Sequence, residues 1–190
     1  HYGKTPPCTK IISKKKIKKV YFGSYDPDIR SFKKAKSILS KKGIDIKKIK
    51  SKNYKNFYKS YFINKKLNIP YVSAKIALSN DFCSINYKKK WITNESSRKI
   101  VHLLRSRYDC ILSTSKTINL DNSLLNCRID GLEKFKPDLF IIDLNLKLKK
   151  NLKLNKMITE RKTYIVTSKS NLRKANIYKR NGYKFIFINN

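Results

Sequence analysis

Arg105 and Arg128 stand among uncharged neighbours in the run from residue 91 to 128, WITNESSRKIVHLLRSRYDCILSTSKTINLDNSLLNCR. A guanidinium is a planar fork of donors that matches the oxygens of a phosphate. Trp91 adds an aromatic face, and Asp121 adds an isolated acid at the end of a Thr-Ile-Asn-Leu-Asp turn. Together these types suit a phosphorylated small molecule and a dinucleotide better than a packed core alone. Each also has a plainer reading. A sole tryptophan often fills a core, arginine on a helix is usually exposed, and His102 reads as a surface histidine without a role.

The elements that must position these residues follow from periodicity and punctuation. Asn94 is a fitting N-cap for a helix reaching residue 107, with Ile100, Val101 and Leu104 turned inward. Strands are expected at 110–114, 138–143, 163–167 and 184–188, and a helix at 171–180 is followed by Gly182. Upstream, the pattern predicts a helix at 9–16, a strand at 18–23, a helix at 32–42 stopped by Gly43, and a strand at 44–49. A helix at 53–68 carries aromatic residues at 54, 57, 58, 61 and 62, a stripe better suited to packing than to base stacking. Pro70 ends that helix and opens a strand at 71–77, and the lysine-rich segment 147–156 is expected to be an exposed connection. Alternating strands and helices predict an α/β fold with parallel strands, with a domain boundary near 65–69.

The 190 residues carry 46 basic and 12 acidic side chains, a formal charge of +34. Only eight of the basic residues are arginine, and the lysines are scattered rather than clustered. Specific nucleic-acid surfaces favour arginine, so a solvated lysine surface is preferred to a nucleic-acid partner. A lysine-rich nucleic-acid-binding or ribosome-associated module stays open as the alternative. No apolar run approaches the roughly 20 residues of a membrane span, and a cytoplasmic protein is expected. Cys8, Cys83, Cys110 and Cys127 show no paired spacing that would suggest a disulfide framework. The first residue is histidine and the sole methionine is Met157, which suggests a fragment.

Two motifs carry a resemblance. His1-Tyr2-Gly3-Lys4-Thr5-Pro6-Pro7-Cys8 resembles the end of a zinc-deaminase motif. Pro70-Tyr71-Val72-Ser73-Ala74-Lys75-Ile76-Ala77, then Ser79-Asn80-Asp81 and the run from 91 to 128, resemble a reductase. In this order they look like the bifunctional riboflavin-biosynthesis deaminase/reductase family. The resemblance implies the C-terminal part of a cytidine-deaminase-like domain at 1–68, then the first part of a dihydrofolate-reductase-like domain at 69–190. Zinc and NADPH are the implied cofactors, and a phosphorylated pyrimidine ribosyl compound is the implied substrate, reduced to its ribityl form. Cys8 would be one zinc ligand, with His1 and Lys4 lining the deaminase pocket. The other zinc ligands and the general acid/base of that site do not appear in the motif as it stands here. Ala77, Trp91, Thr117 and Asp121 match NADP contacts, with Asp121 also a candidate for moving a proton. Lys75, Lys89, Arg105, Leu125 and Arg128 match substrate contacts. Self-association through the reductase half accords with the family.

Departures from the family pattern are specific. Its Ser-x-Asp-Gly turn stands here as Ser79-Asn80-Asp81-Phe82, without the glycine. Lys89 replaces a serine, and Leu144 stands where a small polar residue is usual. The later acidic residue and glycine-rich loop of the family lie beyond Asn190, which predicts weakened NADPH affinity in this chain and little activity alone. A decayed, inactive relative is the remaining alternative.

Overall fold

The computed structural model describes residues 6–28, 30–50, 52–84 and 91–189. The chain divides into two compact units, His1–Lys75 and Ile76–Asn190.

In the first unit, helix α1 (Cys8–Lys14) leads into strand β1 (Lys19–Phe22), helix α2 (Lys34–Ser40) and strand β2 (Asp45–Lys48). β1 and β2 pair in parallel, Lys19 opposite Asp45, and those two side chains form an ion pair at 3.5 Å. Helix α2 is shorter than expected because Lys33 adopts a left-handed conformation, φ 53°, and stops the helix from extending back to Phe32. Buried Leu39 and Ile44 are this unit's small core.

The aromatic helix is two pieces, α3 (Lys52–Phe57) and α4 (Lys59–Leu67). The interruption at Tyr58 is slight, since i→i−4 bonds of 3.1 and 2.9 Å cross it. Its stripe only partly packs. The Tyr54 ring lies so close to Gly23 that a Cβ there would meet it at 2.5 Å. The Tyr61 phenol donates to Asp26 at 2.9 Å, and burial followed by that carboxylate pushes it up to about 12. Phe57, by contrast, is 77% exposed, against the expectation of packing. A stripe that broad cannot be covered by one two-stranded sheet.

The second unit holds helix α5 (Glu95–Arg105), strand β3 (Cys110–Thr114), helix α6 (Ser115–Asp121), strand β4 (Asp138–Ile142), strand β5 (Thr163–Ser168), helix α7 (Leu172–Arg180) and strand β6 (Lys184–Ile188). The four strands are all parallel in the order β3-β4-β5-β6. Alternate strand residues Leu139, Ile141 and Ile165 bury one face against Ile118 of α6 and Tyr178 of α7. The Asn94 side chain accepts from the Ser97 amide at 2.8 Å, so the expected cap forms.

Ile100, expected to turn inward on α5, is 58% exposed, and no residue of that helix is fully buried. Three further expectations need correction. The stretch 71–77 is not a strand; no strand among the described residues pairs with it, and an extended segment without a ladder partner is not sheet. The Thr-Ile-Asn-Leu-Asp stretch is helix rather than turn: Thr114 caps α6 by accepting from the Thr117 amide at 3.3 Å, and Ile118 is fully buried beneath it. The segment 147–156 is not merely an exposed connection, because Leu148, Leu152 and Leu154 enter the core while the intervening lysines face water. Its lysines masked an alternation of leucines.

At Gly182 (φ 91°) the backbone turns from α7 into β6 beneath Ile158, whose methyl would lie 2.6 Å from an added Cβ. At residue 82 the chain needs the same freedom and lacks it. Phe82 has φ 61°, is 81% exposed, and closes a turn in which its amide donates to the Ser79 carbonyl at 3.0 Å. The Ser79 hydroxyl accepts from the Cys83 amide at 3.0 Å and donates to the Asp81 carboxylate, which keeps the left-handed geometry in place. A left-handed L-residue costs roughly 1–2 kcal/mol, partly offset in glycine by its larger unfolded entropy. Phe82→Gly should therefore raise stability by roughly 0.5–1 kcal/mol, seen as a higher denaturant midpoint; a lower midpoint contradicts this reading of the turn.

Candidate functional site

Arg98, His102 and Arg105 follow one another at i, i+4 and i+7 along α5, so they form one stripe on the helix. Trp91 sits at its amino end, with the Arg98 guanidinium 4.8 Å over its ring. Arg98 is held there by donating to the Thr93 carbonyl at 2.6 Å. The indole remains 56% exposed, so Trp91 is no core filler. Arg105 lies ~10 Å farther along the helix axis, two turns on.

At that carboxyl end a loop after α6 comes in. The Asn126 carbonyl accepts from Arg105 Nη1 at 3.1 Å and lies 3.0 Å from His102 Nδ1. Two residues later, Arg128 Nη2 lies 3.3 Å from His102 Nε2. A guanidinium carries donors only, so the Nε2 facing it must be bare and the proton must sit on Nδ1. That tautomer donates to Asn126, which makes the carbonyl the partner at Nδ1 rather than the Arg128 amide at 3.2 Å. Arg105 and Arg128, 23 positions apart in sequence, are thereby gathered around one imidazole.

The electrostatics follow. Burial, then Arg105 and Arg128, push His102 below its ordinary value of 6.5. Burial and then Arg128 lower Arg105 as well. No carboxylate pairs with Arg105 or Arg128 among the described residues, and such a cluster is suited to an anion. The loop itself is tied down by Arg161, whose Nη1 donates to the Leu125 carbonyl at 2.7 Å and whose Nη2 donates to that of Leu124.

The remaining sequence candidates are spread more widely. Leu125 takes φ 50° and its side chain packs against the core. Thr117 sits in the first turn of α6, its hydroxyl 3.2 Å from that of Thr114, and Asp121 is the last, exposed residue of that helix. Ala77 is half-buried just before the 79–83 turn, and Lys75 is the last, exposed residue of the first unit. Cys8 is exposed at the start of α1. His1, Lys4 and Lys89 lie outside the described residues.

The two implied cofactors fare differently. Among the described residues no three His, Cys, Asp or Glu side chains gather to hold a metal, and one exposed thiol does not make a zinc site. A dinucleotide fits better. Exposed hydroxyls of Thr114 and Thr117 lie at the carboxyl end of β3 in a parallel sheet, and the same unit carries a partly exposed indole whose ring Arg98 overlies.

Sequence alone assigns His102 no role, yet it joins both arginines. The missed signal is its spacing, three residues before Arg105 and four after Arg98. Its lowered proton affinity has a definite consequence for stability. The unfolded chain binds the proton first, so the contribution is complete above pH 6.5 and is lost as pH falls through the depressed folded value. By NMR titration the His102 midpoint should lie below 6.5, and Arg128→Gln should move it upward. A midpoint at or above 6.5 in the unaltered chain would overturn the arrangement.

Among the described residues no helix is long and apolar enough to cross a membrane. Residues 70–181 match the family model of the RibD C-terminal domain. The chain is 32% identical over 149 residues to the riboflavin biosynthesis protein RibD of Bacillus amyloliquefaciens, covering 77% of this chain and 40% of that protein. It is 35% identical over 131 residues to RibD of Buchnera aphidicola, covering 67% of this chain and 35% of the relative. The structure of Acinetobacter baumannii RibD superposes with a TM-score of 0.80 at 22% identity, over 100% of this chain and 53% of that one. A Thermotoga maritima deaminase/reductase structure gives 0.73 at 24% identity, over 99% and 58%. These two likenesses bear out the expected α/β fold. The chain thus spans about half the length, or less, of the relatives it matches. With more than half of its residues matched, the chain belongs to the RibD C-terminal domain family.

Proposed function

We propose that this chain provides part of a reductase of riboflavin biosynthesis, acting on a phosphorylated pyrimidine ribosyl compound. The observation that carries the proposal is the convergence of Arg105 and Arg128 on His102 and the Asn126 carbonyl. The substrate phosphate would sit between the two guanidinium groups, neutralising charges that otherwise repel. His102 keeps the Arg128 fork turned toward that position, and Asn126 does the same for Arg105.

When bound, NADPH supplies the hydride that converts the ribosyl carbon to its ribityl form. Trp91, Ala77, Thr117 and Asp121 are the residues proposed to hold it, with the indole against a ring and the Thr117 hydroxyl on a polar group. Asp121, the candidate for moving a proton, sits at the carboxyl end of α6; the arginines carry the proposal instead. The zinc-dependent deamination of the family is not assigned to the described residues, because their donor set does not fit the metal. A cytoplasmic location and pairing of two copies are compatible with this proposal.

One observation favours a nucleic-acid module: Phe57 is exposed in a lysine-rich helical stretch, with Lys55 and Lys59 two residues to either side in sequence. The half-buried Tyr54 and the Asp26-bound Tyr61 leave it without the continuous aromatic platform that such a module requires.

Ribose 5-phosphate isolates the proposed contact. Calorimetric titration of the chain should show binding, weakened about tenfold or more by Arg105→Gln, as expected for losing a charged hydrogen bond of about 1.5–3 kcal/mol. A folded chain that does not bind, or whose binding ignores the substitution, argues against the assignment.

A further inference from the structure

Arg161 is 5% exposed and lies just ahead of β5, outside every motif singled out in the sequence. Its guanidinium reaches a loop some 36 residues earlier, donating to the carbonyls of Leu124 and Leu125, with Pro137 at 3.4 Å. Among the described residues it has no carboxylate within ion-pair distance, and its buried Nε has no hydrogen-bond partner. Burial, followed by repulsion from Arg105, lowers it to about 10, against the weaker opposing pull of Asp138 and Glu160. A buried cation held only by carbonyls is costly compared with an apolar residue of the same size. An amide or ammonium would donate from one nitrogen, whereas the guanidinium reaches the Leu125 and Leu124 carbonyls from two.

The carbonyls it takes are not arbitrary. Those of Leu124, Leu125 and Asn126 are consecutive, and the third holds Arg105 and His102. Between them Leu125 is left-handed at φ 50°, a conformation that an L-residue keeps only when its surroundings enforce it. Cys127, buried at 5%, anchors the next position, and Arg128 follows. We infer that Arg161 is a positioning residue for the anion cluster: by clamping two carbonyls it enforces the left-handed turn that presents the Asn126 carbonyl to Arg105 and His102 and aims Arg128. This role rests on the phosphate reading proposed above, but its geometric core does not.

The test therefore uses two readouts on Arg161→Gln and Arg161→Lys. The first is ribose 5-phosphate affinity by calorimetry. The second is the His102 titration midpoint by NMR, which needs no ligand. Groups that orient metal ligands contribute about 10–100-fold in affinity, and by the same logic of orientation Arg161→Gln should weaken binding at least about tenfold and shift the His102 midpoint. Arg161→Lys, which keeps the charge but not the fork, should lie between Arg161→Gln and the unaltered chain in both. Should Arg161→Gln fail to fold, Arg161→Lys decides alone by the same two shifts. If the unaltered chain does not bind ribose 5-phosphate, the phosphate reading fails, while a shifted His102 midpoint still upholds the positioning role. A folded variant with unchanged midpoint, or unchanged affinity where the unaltered chain binds, overturns the inference.

Discussion

Three cationic side chains cannot share a small volume without something negative between them. Here that something is backbone. The carbonyls of Leu124 and Leu125 accept from Arg161, and that of Asn126 accepts from Arg105 with His102 close beside it. Each carbonyl oxygen carries only a partial charge, so the offset is incomplete. Burial first, and the neighbouring arginines second, depress the proton affinities of His102, Arg105 and Arg161. A cluster left short of negative charge is preorganised for an anion, since its repulsion is already built into the fold.

The sheet makes this loop hold its shape. Its upstream end leaves α6, whose Ile118 is locked into the core against β4 and β5. Leu124 and Leu125 pack against that same core from outside. Arg161 arrives from just ahead of β5, and α5 lays Arg105 and His102 on the far side. A second set of bonds fixes the carboxyl edge of the strands. The buried Asp143 carboxylate accepts from the Ser115 hydroxyl at 2.9 Å and from the amides of Lys147 and Leu148. Asn171 and Thr167 then hold the Leu144 carbonyl. That edge is where a dinucleotide is proposed to lie, and the Leu144 carbonyl and the Lys147 and Leu148 amides stiffen it.

Much of this is legible from residue types. The strands at 110–114 and 184–188 and the Asn94 cap follow from local patterns that the tertiary structure keeps. Arg105 and Arg128 stand out because they are rare arginines in a lysine-rich chain. What local patterns do not reveal is partnership across sequence. Arg161 reads as one more charge before a strand, and its carbonyl partners lie some 36 residues back. His102 looks like surface because its role depends on a loop 24 residues away. The extended segment at 71–77 has strand composition, but composition does not supply a ladder partner. Leucines at 148, 152 and 154 are hidden by lysines between them, since average polarity conceals a buried alternating face.

The central claim is that Arg105 and Arg128 act on a single phosphate. A double-mutant cycle for ribose 5-phosphate binding, using Arg105→Gln, Arg128→Gln and the pair, measures this most directly. The account predicts strong coupling, with the double substitution losing much less than the product of the two single losses, because either change alone dismantles the shared site. Independent effects that multiply would contradict it and would place the two guanidinium groups on separate contacts.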